Sequence, residues 1–246
     1  MIHKLLNETF DLILMKMDQK LHISQKSSHR DLVTNVDQEI EAFLSRRIKE
    51  MYPECQILGE ETDKDIDLND KQVWIIDPID GTSNFVAKGQ EFGILLTHYQ
   101  YGKAVEAYFC DVIKRDIYHC IRHQGVTKNH APFTRDYDLS LKTSLISMSA
   151  CFFQRHVKHK DQLIKDSLGI RYAGSCAIDG IGVLEGWLGA YGIRIASPWD
   201  IAPHLLFAKE LGLVCLNLDG SEREIHQDTP FIFGQKEIVE TLLEYC

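Results

Sequence analysis

No two of the seven cysteines form a CxxC pair, and their number is odd. That argues against a disulfide framework or a structural zinc site. Scattered buried thiols in a reducing cytoplasm are the expected alternative. Basic charge is short as well: 27 Lys and Arg stand against 36 Asp and Glu, a net charge of −9. Sequence-independent nucleic-acid binding needs a basic footprint, so no nucleic-acid partner is expected. Small phosphates stay open as ligands, because bound cations reverse the local field. Long apolar runs are missing. None approaches the roughly 20 residues of a membrane span. Glu8, Asp11 and Asp18 interrupt the apolar N-terminus, which rules out a signal-peptide core. The eleven histidines contain no HExxH motif, so zinc is not indicated.

What is present suits one compact unit of two parts, residues 1–144 and 145–246. Ile2, Leu5, Leu6, Ile13 and Met17 form a helical stripe. Val36, Ile40, Phe43, Leu44, Ile48 and Met51 form a second. Thr34 and Asp37 resemble an N-cap and its partner, and Pro53 follows the end. Two helices are therefore expected before the first strand, Cys55–Leu58. The run Val73–Ile76 reads as a strand buried on both faces, ending at Asp77. Phe92–Tyr99, Ala104–Cys110 and Asp116–Ile121 continue as a meander. From about residue 145, strands at Ser144–Met148, Ile170–Ala173 and Val214–Leu218 alternate with helices. Those helices are expected over His156–Leu168, Ile178–Leu188, Trp199–Leu211 and Glu237–Tyr245. Such interleaving implies a second layered α/β part.

The strongest local signal is Trp74–Phe85, WIIDPIDGTSNF. Asp77 and Asp80 follow a buried strand, and Pro78 stiffens the turn between them. Gly81 allows backbone to approach a ligand. Thr82, Ser83 and Asn84 can open a helix whose free N–H groups face an anion. Carboxylates for hard cations beside amides for phosphate describe a metal-assisted phosphatase site. Glu60 and Glu61 end the preceding strand, and Asp200 opens a later helix, where it can also serve as a cap. An EF-hand starting at Asp77 would need glycine and glutamate where Thr82 and Lys88 stand. A dehalogenase-type DxDGT motif would need its nucleophilic aspartate where Pro78 stands.

These blocks resemble the inositol monophosphatase family, within the larger group that holds fructose-1,6-bisphosphatases and 3′-phosphoadenosine phosphatases. The resemblance rests on Asp31–Thr34 with Asp37, Gly59-Glu60-Glu61, Trp74–Phe85, Gly174-Ser175 and Trp199–Ala202. It implies a layered α-β-α-β-α sandwich, a homodimer, and two or three Mg2+ ions per site. By matched position, Glu60, Asp77 and the Ile79 carbonyl hold one Mg2+. Asp77, Asp80 and Asp200 hold a second, and Glu60 reaches a third through water. Glu61 is then a neighbour of the ligands. Asp37 and Thr82 orient the attacking water. Gly81, Thr82 and Ser83 cradle the phosphate, Gly174 and Ser175 border the substrate, and Lys26 lies near the site. The resemblance also implies lithium sensitivity and a cytoplasmic enzyme acting on a small phosphate ester.

The sequence departs from the family at the substrate end. Animal-type members carry a glutamate seven residues before the aspartate of the WD pair, where it meets an inositol hydroxyl. Here that position is Ile193, with Arg194 beside it. A site built for a hydroxyl discriminates through its polar partner, so inositol preference is not expected. Arg194 is either an anion-binding residue, through its bidentate fork, or a surface arginine. Cys176 reads as a small packing residue. Pro203 is expected in the first turn of its helix, and His204 as a packing histidine.

Overall fold

The computed structural model describes residues 1–19, 22–25, 32–62, 66–135, 137, 139–194, 196–226 and 229–246. Lys26 and Asp31 therefore lie outside the described residues. Helix α1 (Ile2–Met17) is followed by a short antiparallel pair, β1 (Ile23–Gln25) with β2 (Leu32–Thr34), and then by helix α2 (Asn35–Met51). The expected first strand is thus the third. Three-residue pieces carry too little periodicity to be read from sequence.

Strands β3 (Gln56–Gly59), β4 (Val73–Asp80), β5 (Gly93–Gln100), β6 (Lys103–Asp111), β7 (Asp116–Ile121), β8 (Gly125–Lys128) and β9 (Ala131–Phe133) form one sheet in chain order. Only β3 and β4 run parallel; the other neighbours are antiparallel. Strand β4 does not stop at Asp77. Its pairing to β5 is irregular between Asp77 and Asp80, where Pro78 offers no N–H, and it resumes at Asp80 opposite Gly93. Helix α3 (Thr82–Lys88) follows at once.

The second sheet has the order β11-β10-β12-β14-β13. It comprises β10 (Leu145–Met148), β11 (Gly169–Arg171), β12 (Leu188–Ile193), β13 (Leu213–Asn217) and β14 (Phe231–Gln235). Strand β10 is parallel to β11 and β12, and parallel neighbours need helical crossovers. These are α4 (Ala150–His156), α5 (Lys160–Asp166) and α6 (Cys176–Glu185). Helices α7 (Pro198–Leu211) and α8 (Lys236–Tyr245) complete the chain. The expected helix over His156–Leu168 is shorter, α5 alone, and an unexpected helix α4 precedes it and ends where Val157 takes an extended backbone. The expected helix Ile178–Leu188 ends earlier, at left-handed Gly186, and β12 begins at Leu188. Pro203 is not in the first turn. Helix α7 starts at Pro198, so Pro203 falls inside it and removes one i→i−4 hydrogen bond.

Side-chain alternation assigns the layers. Ile94, Leu96, Tyr108 and Cys110 face α1 and α2, meeting Leu6, Phe10, Ile40 and Leu44. Their neighbours Leu95, Ala107 and Phe109 face the other way, toward Ile181 and Leu184 of α6 and Phe207 of α7. That middle layer also packs Tyr191, Phe231 and Phe233 of the second sheet. The far face of the second sheet presents Ile146, Ala190 and Ile232 to Phe152, Leu163, Ile238 and Leu242. The order is helix, sheet, helix, sheet, helix, as expected. The middle layer is covered on both sides, and there Phe207 stacks on Phe109 with centroids 4.4 Å apart. Phe207→Ala should destabilise the protein by about 3–5 kcal/mol. The drop in the urea midpoint of unfolding measures this.

Candidate active site

The site forms where β4 ends and four helices begin. Thr34 caps α2: its hydroxyl accepts from Val36 N at 3.1 Å, and Asp37 Oδ2 accepts from Thr34 N at 2.9 Å. This box leaves Asp37 Oδ1 free to turn outward, where it lies 2.9 Å from the Thr82 hydroxyl. That hydroxyl is also 3.1 Å from the Ile79 carbonyl, so two acceptors compete for its one proton. Asp37 is buried, which pushes its carboxyl up, while the Thr34 and Thr82 bonds pull it down.

Glu60 enters from the parallel strand. Its N–H donates to the Ile76 carbonyl at 3.2 Å, which extends the β3–β4 ladder and sets Glu60 beside Asp77. Asp77 is buried. Its carboxyl is pushed well above the ordinary carboxylate range, first by burial and then by the charges of Glu60, Asp80 and Asp200. Asp80 is pushed up by burial and held down by three donors. These are the Ser175 hydroxyl, Ala177 N at 2.7 Å and Cys176 N at 3.1 Å, at the N-terminus of α6. Asp200 Oδ2 accepts from Ser197 N at 2.7 Å, closing the capping box of α7. Asp80, Cys176 and Asp200 each offer a ligand atom, and these atoms lie within 4.8 Å of one another. Clustered carboxylates in a buried setting repel each other and fit a hard divalent cation, the oxygen-ligand class of Mg2+ and Ca2+. Cys176, read from sequence as packing, thus stands at the edge of the cluster. Its thiol is pushed up by burial and by these carboxylates.

Gly81 N-caps α3 in the left-handed region, φ +88°. A Cβ there would lie 2.9 Å from Ser175 Cβ, so this close approach requires glycine. Ser83 and Gly174 line an adjoining open pocket of about 670 Å³, which also takes in Lys88, Ser149, Tyr172, Ile193 and Arg194. A smaller cavity of about 140 Å³ joins Asp80, Ser175, Cys176, Tyr191 and Asp200, and shares Tyr172, Gly174 and Ile193 with the first. Ser175 borders the cavity as expected, but its hydroxyl is engaged with Asp80 and caps α6 by accepting from Ile178 N. Arg194 follows β12 directly and lines the open pocket. His204 is fully buried. Its Nδ1 lies 2.7 Å from the Asp200 carbonyl and its Nε2 2.6 Å from the Tyr191 hydroxyl. Burial lowers it to about 3, so it stays neutral and braces the start of α7.

Two residues were not found from sequence. Glu41 is fully buried on α2 and accepts from Glu61 N at 2.8 Å and the Thr62 hydroxyl at 2.6 Å. A Cβ on Gly59 would lie 2.3 Å from Glu41 Oε1, which explains the glycine before Glu60. The available signal was its spacing, four residues after Asp37 on the same helical face. Asp179 lines the smaller cavity with Oδ1 unpartnered, and burial pushes it up to about 7.

A cluster of buried and half-buried carboxylates beside a helix-capping glycine, in a five-layer sandwich, is an arrangement that suits a phosphatase with a divalent cation. The chain belongs to the inositol monophosphatase family, whose model matches residues 2–245. The inositol-1-monophosphatase of Bacillus subtilis is 30% identical over 247 residues, covering 98% of this chain and 93% of that protein. Nus factor SuhB of Vibrio cholerae is 31% identical over 210 residues, covering 82% of this chain and 77% of that one. Among solved structures, a staphylococcal inositol monophosphatase-1 in a LiCl-soaked inhibitory complex superposes with a TM-score of 0.90 at 31% identity. It covers 99% of this chain and 92% of that one. An IMPase/NADP phosphatase complexed with NADP and Ca2+ gives the same TM-score and identity, covering 99% and 94%. No helix among the described residues is long and apolar enough to cross a membrane.

Asp77 generates a stability prediction. Its folded pKa is raised, so its contribution is fully present below the unfolded value. That contribution is lost as pH rises through the folded value. Without a divalent cation, the wild-type protein should therefore lose stability between acid and neutral pH. Asp77→Asn should melt higher than wild type at neutral pH in chelator, and excess Mg2+ should reverse the order. Melting curves with and without Mg2+ check both signs.

Proposed function

We propose that this chain hydrolyses phosphate monoesters of small, sugar-like molecules with Mg2+, by direct attack of water. The observation that carries the reading is the Asp37–Thr82 contact, 2.9 Å long, which brings Asp37 of α2 to the residue two places after Asp80. Glu60, Asp77, the Ile79 carbonyl, Asp80 and Asp200 would hold the cations. When bound, Mg2+ acidifies a water and neutralises charge building on the phosphoryl oxygens. Asp37 Oδ1 polarises the Thr82 hydroxyl, and the hydroxyl's lone pairs then fix the direction of the incoming water's hydrogens. Gly81 and the first N–H groups of α3 receive the phosphate oxygens, with Ser83 at the pocket rim. Pro78 leaves no room for an aspartyl nucleophile. Quenched turnover of a 32P-labelled substrate should therefore leave no label on protein, and label on any aspartate would overturn direct attack. Lithium sensitivity is expected of the same site, and a related staphylococcal enzyme is solved in a LiCl-soaked inhibitory complex.

The pocket next to the phosphate site favours substrates with a second anionic group over inositol monophosphate. Ile193 cannot accept a hydroxyl's proton, whereas Lys88 and Arg194 both line the pocket. The relative crystallised with NADP shows that this fold admits a nucleotide phosphate. A panel of phosphate esters assayed with Mg2+ should rank a sugar bisphosphate or NADP above inositol monophosphate, with no turnover in chelator. Arg194→Ala should raise KM for the doubly anionic substrate roughly tenfold and leave inositol monophosphate little changed. Equal effects on all substrates would make Arg194 a surface residue.

A further inference from the structure

A second cluster of ligating side chains lies on the first sheet, away from the carboxylates. His3 comes from the first turn of α1, His119 from β7, and His130 from the turn between β8 and β9. His3 Nε2 and His119 Nδ1 are 3.2 Å apart. The His130 ring stacks on His3 with centroids 3.9 Å apart, and His130 is exposed. Behind them, Glu106 Oε1 lies 2.8 Å from His119 Nε2. Tyr108 also donates its hydroxyl to Glu106, and the Tyr108 ring stacks on His119 at 4.3 Å.

Each feature has a coordination reading. Two metal–nitrogen bonds of 2.0–2.1 Å at a tetrahedral angle place their nitrogens about 3.3 Å apart, close to the His3–His119 separation. A carboxylate on the far nitrogen of a ligating histidine fixes its tautomer and raises its basicity, and Glu106 stands there for His119. With Nε2–H donated to Glu106, His119 Nδ1 is unprotonated and faces His3. The proton now bridging the two rings belongs to His3 Nε2; moved to His3 Nδ1, it frees a second nitrogen with no net proton change. His3 is lowered to about 4 by burial and by its histidine neighbours, so its ring is neutral at working pH. His130, exposed and stacked on His3, adds a third imidazole on the solvent side.

We propose that His3 and His119, with His130 at the rim and Glu106 behind, form a binding site for a borderline divalent transition metal such as Zn2+, Ni2+ or Cu2+. Bound there, the ion ties α1 to β7. The three histidines are distant in sequence, so no motif announces them. The site is chemically separate from the oxygen-rich catalytic cluster, which lets one experiment distinguish the two.

Electron paramagnetic resonance of the full chain with one equivalent of Cu2+, in excess Mg2+, reads the ligand set directly. Cu2+ binds such nitrogens most tightly of the three. The expected spectrum shows imidazole-nitrogen couplings that persist in Asp77→Asn. They are lost in His119→Ala and in His3→Ala, an α1 substitution at a half-buried position that spares the sheet. Glu106→Gln should weaken Cu2+ binding between roughly tenfold and a hundredfold. In parallel, Zn2+ should raise the melting temperature of wild type and not of His3→Ala. Absence of nitrogen couplings overturns the proposal. So do couplings that survive unchanged in either histidine variant, since the copper then does not sit between the two rings.

Discussion

The repulsion among buried and half-buried carboxylates is the constraint on which the rest of this structure depends. Glu60, Asp77, Asp80 and Asp200 come from β3's end, β4 and α7, and ionising Asp77 is made costly first by its burial and then by the other three. Separated charges of one sign are costly in a low-dielectric setting. The fold tolerates them by surrounding the cluster with donors and by leaving the remaining charge for a cation. A site stable without the cation would have little reason to bind it.

The donors come from helix ends. Asp37 closes the cap of α2, Asp200 closes the cap of α7, and Asp80 accepts from the first residues of α6. Three carboxylates of the candidate site therefore also cap helix N-termini, where the positive end of the backbone dipole favours them. This double use fixes the geometry. Moving any one of them would unpair a helix end as well as alter the site. Ser175 shows the same economy, since one hydroxyl donates to Asp80 and accepts from Ile178 N. Behind them, His204 and Glu41 act through backbone: one braces Asp200's carbonyl, the other the loop carrying Glu61.

The local blocks of the candidate site were more legible than the bounds of the elements around them. The WIIDPIDGT block, the Thr34–Asp37 box and the Asp200 helix start are local patterns, and each sits where local chemistry puts it. Strand β12 was missed because Gly189 and Gly192 interrupt the apolar run that would have marked it. Strands β8 and β9 are too short to show a period, and β14 is an edge-free apolar run whose partners lie far off in sequence. Helix α7 began one residue earlier than expected because Ser197, not Pro198, is the cap. Glu41 and Asp179 escaped notice because their importance is a matter of burial, which single residues in apolar helices do not advertise. The pairing of Gly59 with Glu41 is a contact between distant positions, and only coordinates expose it.

Catalysis at this site requires cations lodged among these carboxylates. A crystal grown with Mn2+ in place of Mg2+ and measured at the manganese edge tests this most directly. Anomalous peaks are expected at the end of β4, bounded by Asp77, Asp80 and Asp200 on one side and Glu60 on the other. Ordered manganese elsewhere with none at the end of β4, or a carboxylate cluster filled only by water, would contradict it.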